Sequence, residues 1–436
     1  MNSKMKNYKE AFVWIWLPEA TTPVVAGKLT RLGKSLVFNY GQSYLARDNA
    51  IAIFEPELPL KPGLLPLLPG MGMPSCIRDA SPDAWGRRVM INSKFGKQGK
   101  GTDVSEIDEL TYLLESGSDR IGALDFQLSP TLYEPRTSVS ASLEELLDAA
   151  MRVEKGIPLS PHLNEVLNHG TSIGGARPKA LIDNHDAKYI AKFSSSTDLF
   201  SIVKAEFIAM RLAQLSGLNV ASVSLAKSSN RDVLLINRFD RVLSKNGWQR
   251  KLMISALTVL ELDEMMARYA SYENFAEIIR FRFTDASTTL KELFSRITFN
   301  ILIGNTDDHA RNHAAFWDGK MLTLTPAYDI CPQNRVGNEA SQGMLILGNN
   351  RMSKISVCLD AAHAYLLSEK EARAIIEHQI ITIGTQWHSV CDLAHLRTVD
   401  QRLMFGRQFL NPFAFDDLEG ERLNLKVIAS NFLGRE

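Results

Sequence analysis

The chain is 436 residues long, 45% hydrophobic and 22% charged, which is enough apolar side chain for two or three ordinary globular domains. Lysine plus arginine and aspartate plus glutamate both number 49, so no overall charge draws the protein onto nucleic acid, and only a local basic patch would do so. Cys76, Cys331, Cys358 and Cys391 lie far apart with no CxxC pair, which argues against a zinc module or a disulfide framework.

The opening MNSKMKNYKEAFVWIWLPEA holds one short apolar run ending in Pro and Glu. It is too short for a membrane span and lacks a small-residue cleavage site, so the expected location is cytoplasmic, away from any membrane. FVWIWL, PVVAGKLTRL, KSLVFNY and IAIFE then alternate apolar and polar residues and predict strands and hairpins. LPLKPGLLPLLPGMGMP is too rich in Pro and Gly for helix or ladder and reads as a connector. In SPDAWGRRVMINSKF, Ser81 is the expected N-cap and Pro82 the first helical residue. VSEIDELTYLLES repeats its apolar residues at helical period, and Ser142 with Glu145 predicts a capping box on the next helix.

From Gly170 a glycine turn is followed by KALI and AKYIAKF as strands and KAEFIAMRLAQLSG as a helix with Gly217 near its C-cap. SVSLAK and VLLINRF are two further strands, and beyond Ser255 the pattern is helical except for MLTLTPAYD. The expected architecture is α+β: a β-containing N-terminal domain (1–135), a small lobe (136–254) and a mainly helical lobe (255–436).

Four pieces carry chemistry. TSIGGARPKALI places a Gly pair before a strand, where backbone amides can approach an anion; the bland reading is a tight turn. Lys192 in AKYIAKF stands where an ATP site holds the α- and β-phosphates, the alternative being a strand-end lysine reaching solvent. Glu206 on the following helix could pair with it or simply be an exposed helix glutamate. LLINRFDR, residues 234–241, offers backbone groups to an adenine or is merely a strand end.

The fourth piece is GNTDDHARNH, residues 304–313, with its continuation TPAYD. Asp307 and Asn312 have the DxxxxN spacing of a kinase catalytic base and magnesium-binding amide, and Asp329 ends the next strand. One carboxylate and one amide suffice for Mg²⁺ when ATP phosphates supply further oxygens. A solvated turn is the plain alternative. The order is that of a protein kinase: phosphate turn, strand lysine, helix glutamate, hinge strand, DxxxxN loop, strand-end aspartate.

Assembled, these residues resemble the HipA family, the toxin kinases of bacterial toxin–antitoxin systems, over nearly the whole chain. SPDAWGRR and LTYLLESGSDRIGAL look like that family's N-terminal domain. TSIGGARPKA, AKF, AEFIAMRLAQLSGL, INRFDR, IGNTDDHARNHA and LTPAYDI are similar to its kinase motifs in the same order. The resemblance implies that Asp307 is the catalytic aspartate, with Asp308 the bystander, and that Lys192 is the phosphate-binding lysine. Asn312 and Asp329 would hold Mg²⁺. Gly174, Gly175, Ala176, Arg177, Pro178 and Lys179 would form the ATP-phosphate loop. Asn237, Arg238 and Phe239 match the adenine hinge, and His309, Ala310, Arg311, Asn312, Tyr328 and Asp329 line the nucleotide. Ser172 matches the regulatory serine, whose autophosphorylation displaces the loop.

The implied activity is ATP-dependent phosphorylation of Ser or Thr in a protein, such as an aminoacyl-tRNA synthetase, with a DNA-binding HipB-type antitoxin as partner. One rival reading is a two-metal nuclease built from Asp307, Asp308, His309 and Asp329. Another is an idle kinase fold acting as co-repressor with the antitoxin.

Overall fold

The computed structural model describes residues 7–96, 107–136, 141–168, 173, 175–195, 198, 200–335, 337 and 339–434. The chain packs as two units. The first comprises Met1–Asp198, Ala226–Ile254 and Phe316–Lys320; the second comprises Leu199–Leu225, Ser255–Ala315 and Met321–Glu436.

The first unit begins with β1 (Glu10–Ile15), β2 (Val24–Leu32) and β3 (Ser35–Tyr40), joined later by β4 (Leu124–Gln127) in the order β3-β2-β1-β4. Side chains alternate as the pattern predicts: Leu36, Phe38 and Tyr40 of β3 point inward while their neighbours stay half-exposed. IAIFE, at 51–55, is not a strand. The Tyr40 hydroxyl takes the Ile53 N–H and donates to the Leu58 carbonyl, and the Trp317 indole N–H donates to the Ala52 carbonyl. Side chains satisfy that backbone, so it has no need of a ladder.

Two short helices follow, α1 (Gln42–Leu45) and α2 (Ser75–Arg78). Next comes α3 (Ala84–Phe95), whose N-cap position is Asp83 rather than Ser81. The Ser81 hydroxyl instead donates to the Glu109 carboxylate, which also takes Arg87 through two hydrogen bonds, so the expected cap is spent on α4 (Glu109–Glu115). On α5 (Leu143–Glu154) the Ser142–Glu145 capping box is present in full. After α6 (Pro161–Asn168), strands β5 (Lys179–Asp183), β6 (Lys188–Phe193), β7 (Val223–Ser228) and β8 (Arg231–Asn237) make a sheet in the order β5-β6-β8-β7. Trp85 and Val89 of α3, Leu146 and Val153 of α5, and Ala180, Ala191, Phe193 and Val233 of the sheet share one buried core. Helix α3, from the N-terminal part of the chain, thus supplies part of this sheet's core.

Beside β8 lies a buried charge cluster. Asp240 accepts from Arg238 (2.8 Å), Arg241 (2.9 Å) and the Gly122 N–H (2.8 Å), and Arg120 pairs with Asp125 at 2.9 Å with both side chains fully buried. Asp119 bridges Arg238 and Arg241. The hairpin β9 (Arg241–Ser244) and β10 (Gly247–Arg250) continues from it, and the short strand β11 (Met253–Ser255) ends this stretch.

The second unit is mostly helical: α7 (Ile202–Leu215), α8 (Ala256–Val259), α9 (Tyr272–Arg282), α10 (Ala286–Leu302), α11 (Ile355–Asp360), α12 (Glu369–Leu393), α13 (Thr398–Met404) and α14 (Leu423–Leu433). Strands β12 (Ala314–Trp317) and β13 (Leu322–Leu324) follow the motif at 304–313. The long α12 opens with a Ser368–Glu371 capping box and packs on α7, α10 and α14. Its Ile376, Ile380, Ile383 and Trp387 recur at helical period and are fully buried. All four cysteines are buried and none is in a disulfide. Among the described residues no helix is long and apolar enough to cross a membrane.

Candidate active site

In the first unit, Ser172 and Gly174 lie outside the described residues, so the loop is seen from Gly175 onward. Gly175 has φ +101°, a conformation that favours glycine, and a Cβ built there would stand 2.2 Å from the Lys179 amine. Its N–H donates to the Asp83 carboxylate (2.7 Å) and its carbonyl accepts from the Trp85 N–H (3.1 Å). The Gly175 amide is thus engaged within the chain itself. Arg177 reaches Asp198 at 2.8 Å, Ala176 is exposed, and the Pro178 carbonyl accepts from the Phe193 N–H.

Lys179 and Lys192 are direct partners across the β5–β6 pairing. Opposite residues of an antiparallel pair project from the same face, so these two cations are neighbours. They are 4% and 8% exposed. Two like charges opposite one another on a rung repel, so their placement together marks a face that favours anions.

Asn237 ends β8 opposite Tyr189, and the Arg238 N–H donates to the Lys188 carbonyl. The Arg238 guanidinium is consumed by Asp240 and by the Asp119 and Arg120 carbonyls. Burial alone pushes its pKa down, but Asp119 and Asp240 outweigh that and hold it above the usual arginine value. As a nucleotide contact, Arg238 therefore has its backbone carbonyl to offer and not its side chain. Phe239 is half-buried, edge-on to Phe316.

In the second unit, Gly304 opens the motif at φ +67°, where a Cβ would press to 2.9 Å from the Gln408 carbonyl oxygen. The Asn305 backbone N–H donates to the Asn300 carbonyl (2.8 Å) and its side-chain amide to Asn300 Oδ1 (3.0 Å), tying the loop to the end of α10. The two adjacent acids then part company. Asp307 is exposed; Asp308 is 2% exposed. The Asp308 carboxylate accepts from the Tyr272 hydroxyl, from Asn300 Nδ2 (2.8 Å) and from His313 Nε2 (3.1 Å). Burial would raise its pKa, yet the neighbouring His313 ring and these donated hydrogen bonds bring it below the ordinary carboxylate range. Asp308 is thus the loop's buried anchor, which is more than the bystander of the sequence reading.

Asn312 is buried, with its amide nitrogen donating to the Asp307 carbonyl (3.3 Å). His309 accepts the Asn312 N–H on its carbonyl, and its Nδ1 is buried with no hydrogen-bond partner among the described residues. Such an orphan atom is what a ligand or water satisfies. Ala310 is buried, and its carbonyl accepts from the Leu257 N–H. The Arg311 side chain pairs with Glu264, while its carbonyl accepts from the Tyr328 hydroxyl at 2.7 Å.

Asp329 follows at φ +59°, a left-handed conformation that few non-glycine residues adopt and that asparagine and aspartate tolerate better than most. What imposes it is visible upstream. Ala327 exchanges hydrogen bonds with Asn219 and Ala221, and Arg296 holds the Thr325 carbonyl at 2.8 Å. Downstream, the Gln333 N–H returns to the Gly304 carbonyl. The strand end and the DxxxxN loop are therefore laced together. Glu206 is buried on α7. Among the described residues no group of three or more His, Cys, Asp and Glu side chains is arranged to hold a metal ion.

Asp83, Trp85, Tyr272 and Asn300 build this region although no functional role was expected of them from sequence, and His313 serves as a hydrogen-bond partner of Asp308. Asp83 and Gly175 are 92 positions apart, and Tyr272 and Asp308 are 36 apart, so no local pattern could have linked them.

Two family models match the chain: the HipA N-terminal domain over residues 16–127 and the HipA-like C-terminal domain over residues 171–387. Together they account for well over half of it. A putative kinase, Y4mE, of Sinorhizobium fredii is 26% identical over 322 residues, covering 67% of this chain and 71% of that protein. The serine/threonine-protein kinase toxin HipA of Shewanella oneidensis is 24% identical over 183 residues, 36% of this chain and 42% of that one. A solved structure of the Shewanella oneidensis toxin–antitoxin system, HipA with HipB and its operator DNA, matches with a TM-score of 0.66 over 97% of both chains. At 16% identity that likeness speaks for the fold.

Proposed function

The chain belongs to the HipA family of toxin kinases, and from that premise we propose that it is an ATP- and Mg²⁺-dependent serine/threonine-protein kinase acting as the toxin of a toxin–antitoxin pair. The observation that carries the reading is the pair of buried lysines, Lys179 and Lys192, on one rung of the β5–β6 sheet. Two lysine amines held side by side are a fitting pair of donors for a triphosphate.

In this reading Asp307, exposed on an anchored loop, accepts the proton of a substrate Ser or Thr hydroxyl. The freed oxygen bonds to the γ-phosphorus, the bond from that phosphorus to the β–γ bridging oxygen breaks, and ADP leaves. Lys179 and Lys192 neutralise the phosphates, and the backbone of Asn237–Phe239 meets the adenine. Asn312 Oδ1 and the Asp329 carboxylate fit an oxygen-seeking cation; bound there, Mg²⁺ would offset charge on the phosphates. Most of the rate enhancement would come from this positioning and electrostatics.

The substrate class is a protein of the translation apparatus, such as an aminoacyl-tRNA synthetase, and the partner is a DNA-binding antitoxin of the HipB type, by analogy with the Shewanella complex. Ser172 is the proposed autophosphorylation site. The division 1–135, 136–254 and 255–436 remains the functional one we propose, and the co-repressor role is compatible with catalysis. The nuclease reading loses Asp308, whose carboxylate is saturated by three donors in a buried pocket.

The test is transfer of the γ-phosphate from labelled ATP with Mg²⁺, followed by peptide mapping. Label on Ser172 is the expected outcome. Wild-type protein that does not bind ATP, or that cleaves DNA instead, would overturn the reading.

A further inference from the structure

The first turn of α3 belongs to the N-terminal part of the chain, the region matched by the HipA N-terminal domain, which has no catalytic role in the scheme above. It nevertheless touches the phosphate loop at both described ends. At Gly175 it takes both backbone groups: the N–H goes to the Asp83 carboxylate at 2.7 Å and the carbonyl receives the Trp85 N–H at 3.1 Å. At Lys179 the Trp85 indole N–H donates to the carbonyl at 2.9 Å. Trp85 itself is fully buried in the core it shares with Ala180, Ala191 and Phe193 of the lysine-bearing strands.

Asp83 occupies the N-cap position of its own helix but does not cap it. A carboxylate there ordinarily accepts from the N–H groups of the following turn. Here it is committed 92 residues away, to an amide whose residue has φ +101° and lies against the Lys179 amine. Glycine reaches that conformation without penalty but is equally free to leave it, so its two hydrogen bonds with Asp83 and Trp85 are what fix the backbone at Gly175.

We propose that Asp83 and Trp85 are positioning residues of the nucleotide site: together they hold the segment Gly175–Lys179 so that Lys179 stays on its rung beside Lys192. The inference rests on the kinase reading and extends it by making the N-terminal part of the chain a component of ATP binding. The device works through an acceptor oxygen at Asp83. An amide in its place retains that oxygen, though the bond to a neutral acceptor is weaker than to a carboxylate.

The experiment uses the full chain, with MgATP affinity from titration calorimetry and the autophosphorylation rate at saturating MgATP as separate readouts. For Asp83→Ala the expected result is an ATP Kd raised about tenfold, the effect of losing one hydrogen bond to a charged group, with the saturated rate within about twofold of wild type. Asp83→Asn should recover most of the affinity. Trp85→Phe, which keeps a buried ring and removes only the indole donor, should shift Kd in the same direction by a smaller factor, and it decides the matter should Asp83→Ala fail to fold.

An unchanged Kd in a folded Asp83→Ala chain would overturn the proposal. So would tighter ATP binding, which would make the Asp83 carboxylate a competitor of the phosphates, or a loss of saturated rate with Kd unmoved. Failure of the wild type to bind ATP would instead bring down the kinase reading, and this inference with it.

Discussion

Two adjacent aspartates illustrate what a side chain's surroundings decide. Asp307 and Asp308 are chemically identical, one bond apart, and the resemblance to a kinase loop already favoured the first as the base. Local sequence could not show what the second does, because its partners Tyr272 and Asn300 come from α9 and α10. Removing a buried, hydrogen-bonded charge orphans three donors. We therefore expect Asp308→Ala to destabilise the fold by about 3 kcal/mol, measured by chemical denaturation. Asp307→Ala, at an exposed position, should change stability by no more than about 0.5 kcal/mol. Equal effects from the two would contradict the assignment of anchor and base. Gly304 makes a related demand: Gly304→Ala adds a left-handed penalty to a contact with the Gln408 backbone, and a cost of about 1–3 kcal/mol in the same assay is expected.

At the scale of elements, local rules read the chain well where the element satisfies itself. The Ser142 capping box on α5 was visible as a four-residue pattern, and the structure contains both of its hydrogen bonds. Ser142→Ala should lower stability by about 1 kcal/mol, and its failure to do so would show that the cap is redundant with tertiary packing. The reading went astray where a side chain works at a distance. IAIFE has strand composition, but Tyr40 and Trp317 take its backbone groups. SPDAWG has an orthodox helix start at Ser81, but the hydroxyl goes to Glu109 and the helix begins later. The Lys192 rung, in contrast, needed only strand register: once β5 and β6 pair through their short turn, Lys179 and Lys192 must face each other.

Over the whole molecule, a formal charge of zero concealed how the charges are arranged. The first unit buries Asp125 and Asp240, with Asp119 half-buried beside them, among Arg120, Arg238 and Arg241 next to the proposed hinge, and composition gave no sign of it. Burial would raise each of these carboxyls, but the guanidiniums around them leave all three below the ordinary carboxylate range. A carboxyl depressed in the folded state contributes stability above its unfolded pKa of about 4, and that contribution is lost as pH falls through the lower folded values. The urea midpoint should therefore decline as pH is lowered from 4 toward 2. A midpoint unchanged over that range would mean the cluster contributes nothing net, as buried ion pairs sometimes do. The α+β class and the order of kinase parts were legible because each part is a short local motif. The sharing of one core between α3 and the β5–β6 sheet was not, because it joins residues more than 90 positions apart.

The most direct test of the central claim compares wild type with Asp307→Ala for MgATP binding and for phosphate transfer. The account predicts that transfer falls by about a thousandfold or more while ATP affinity stays within about threefold, because the residue acts on the hydroxyl and not on the nucleotide. Transfer that survives in Asp307→Ala, or ATP binding that vanishes with it, would contradict the role assigned to this loop.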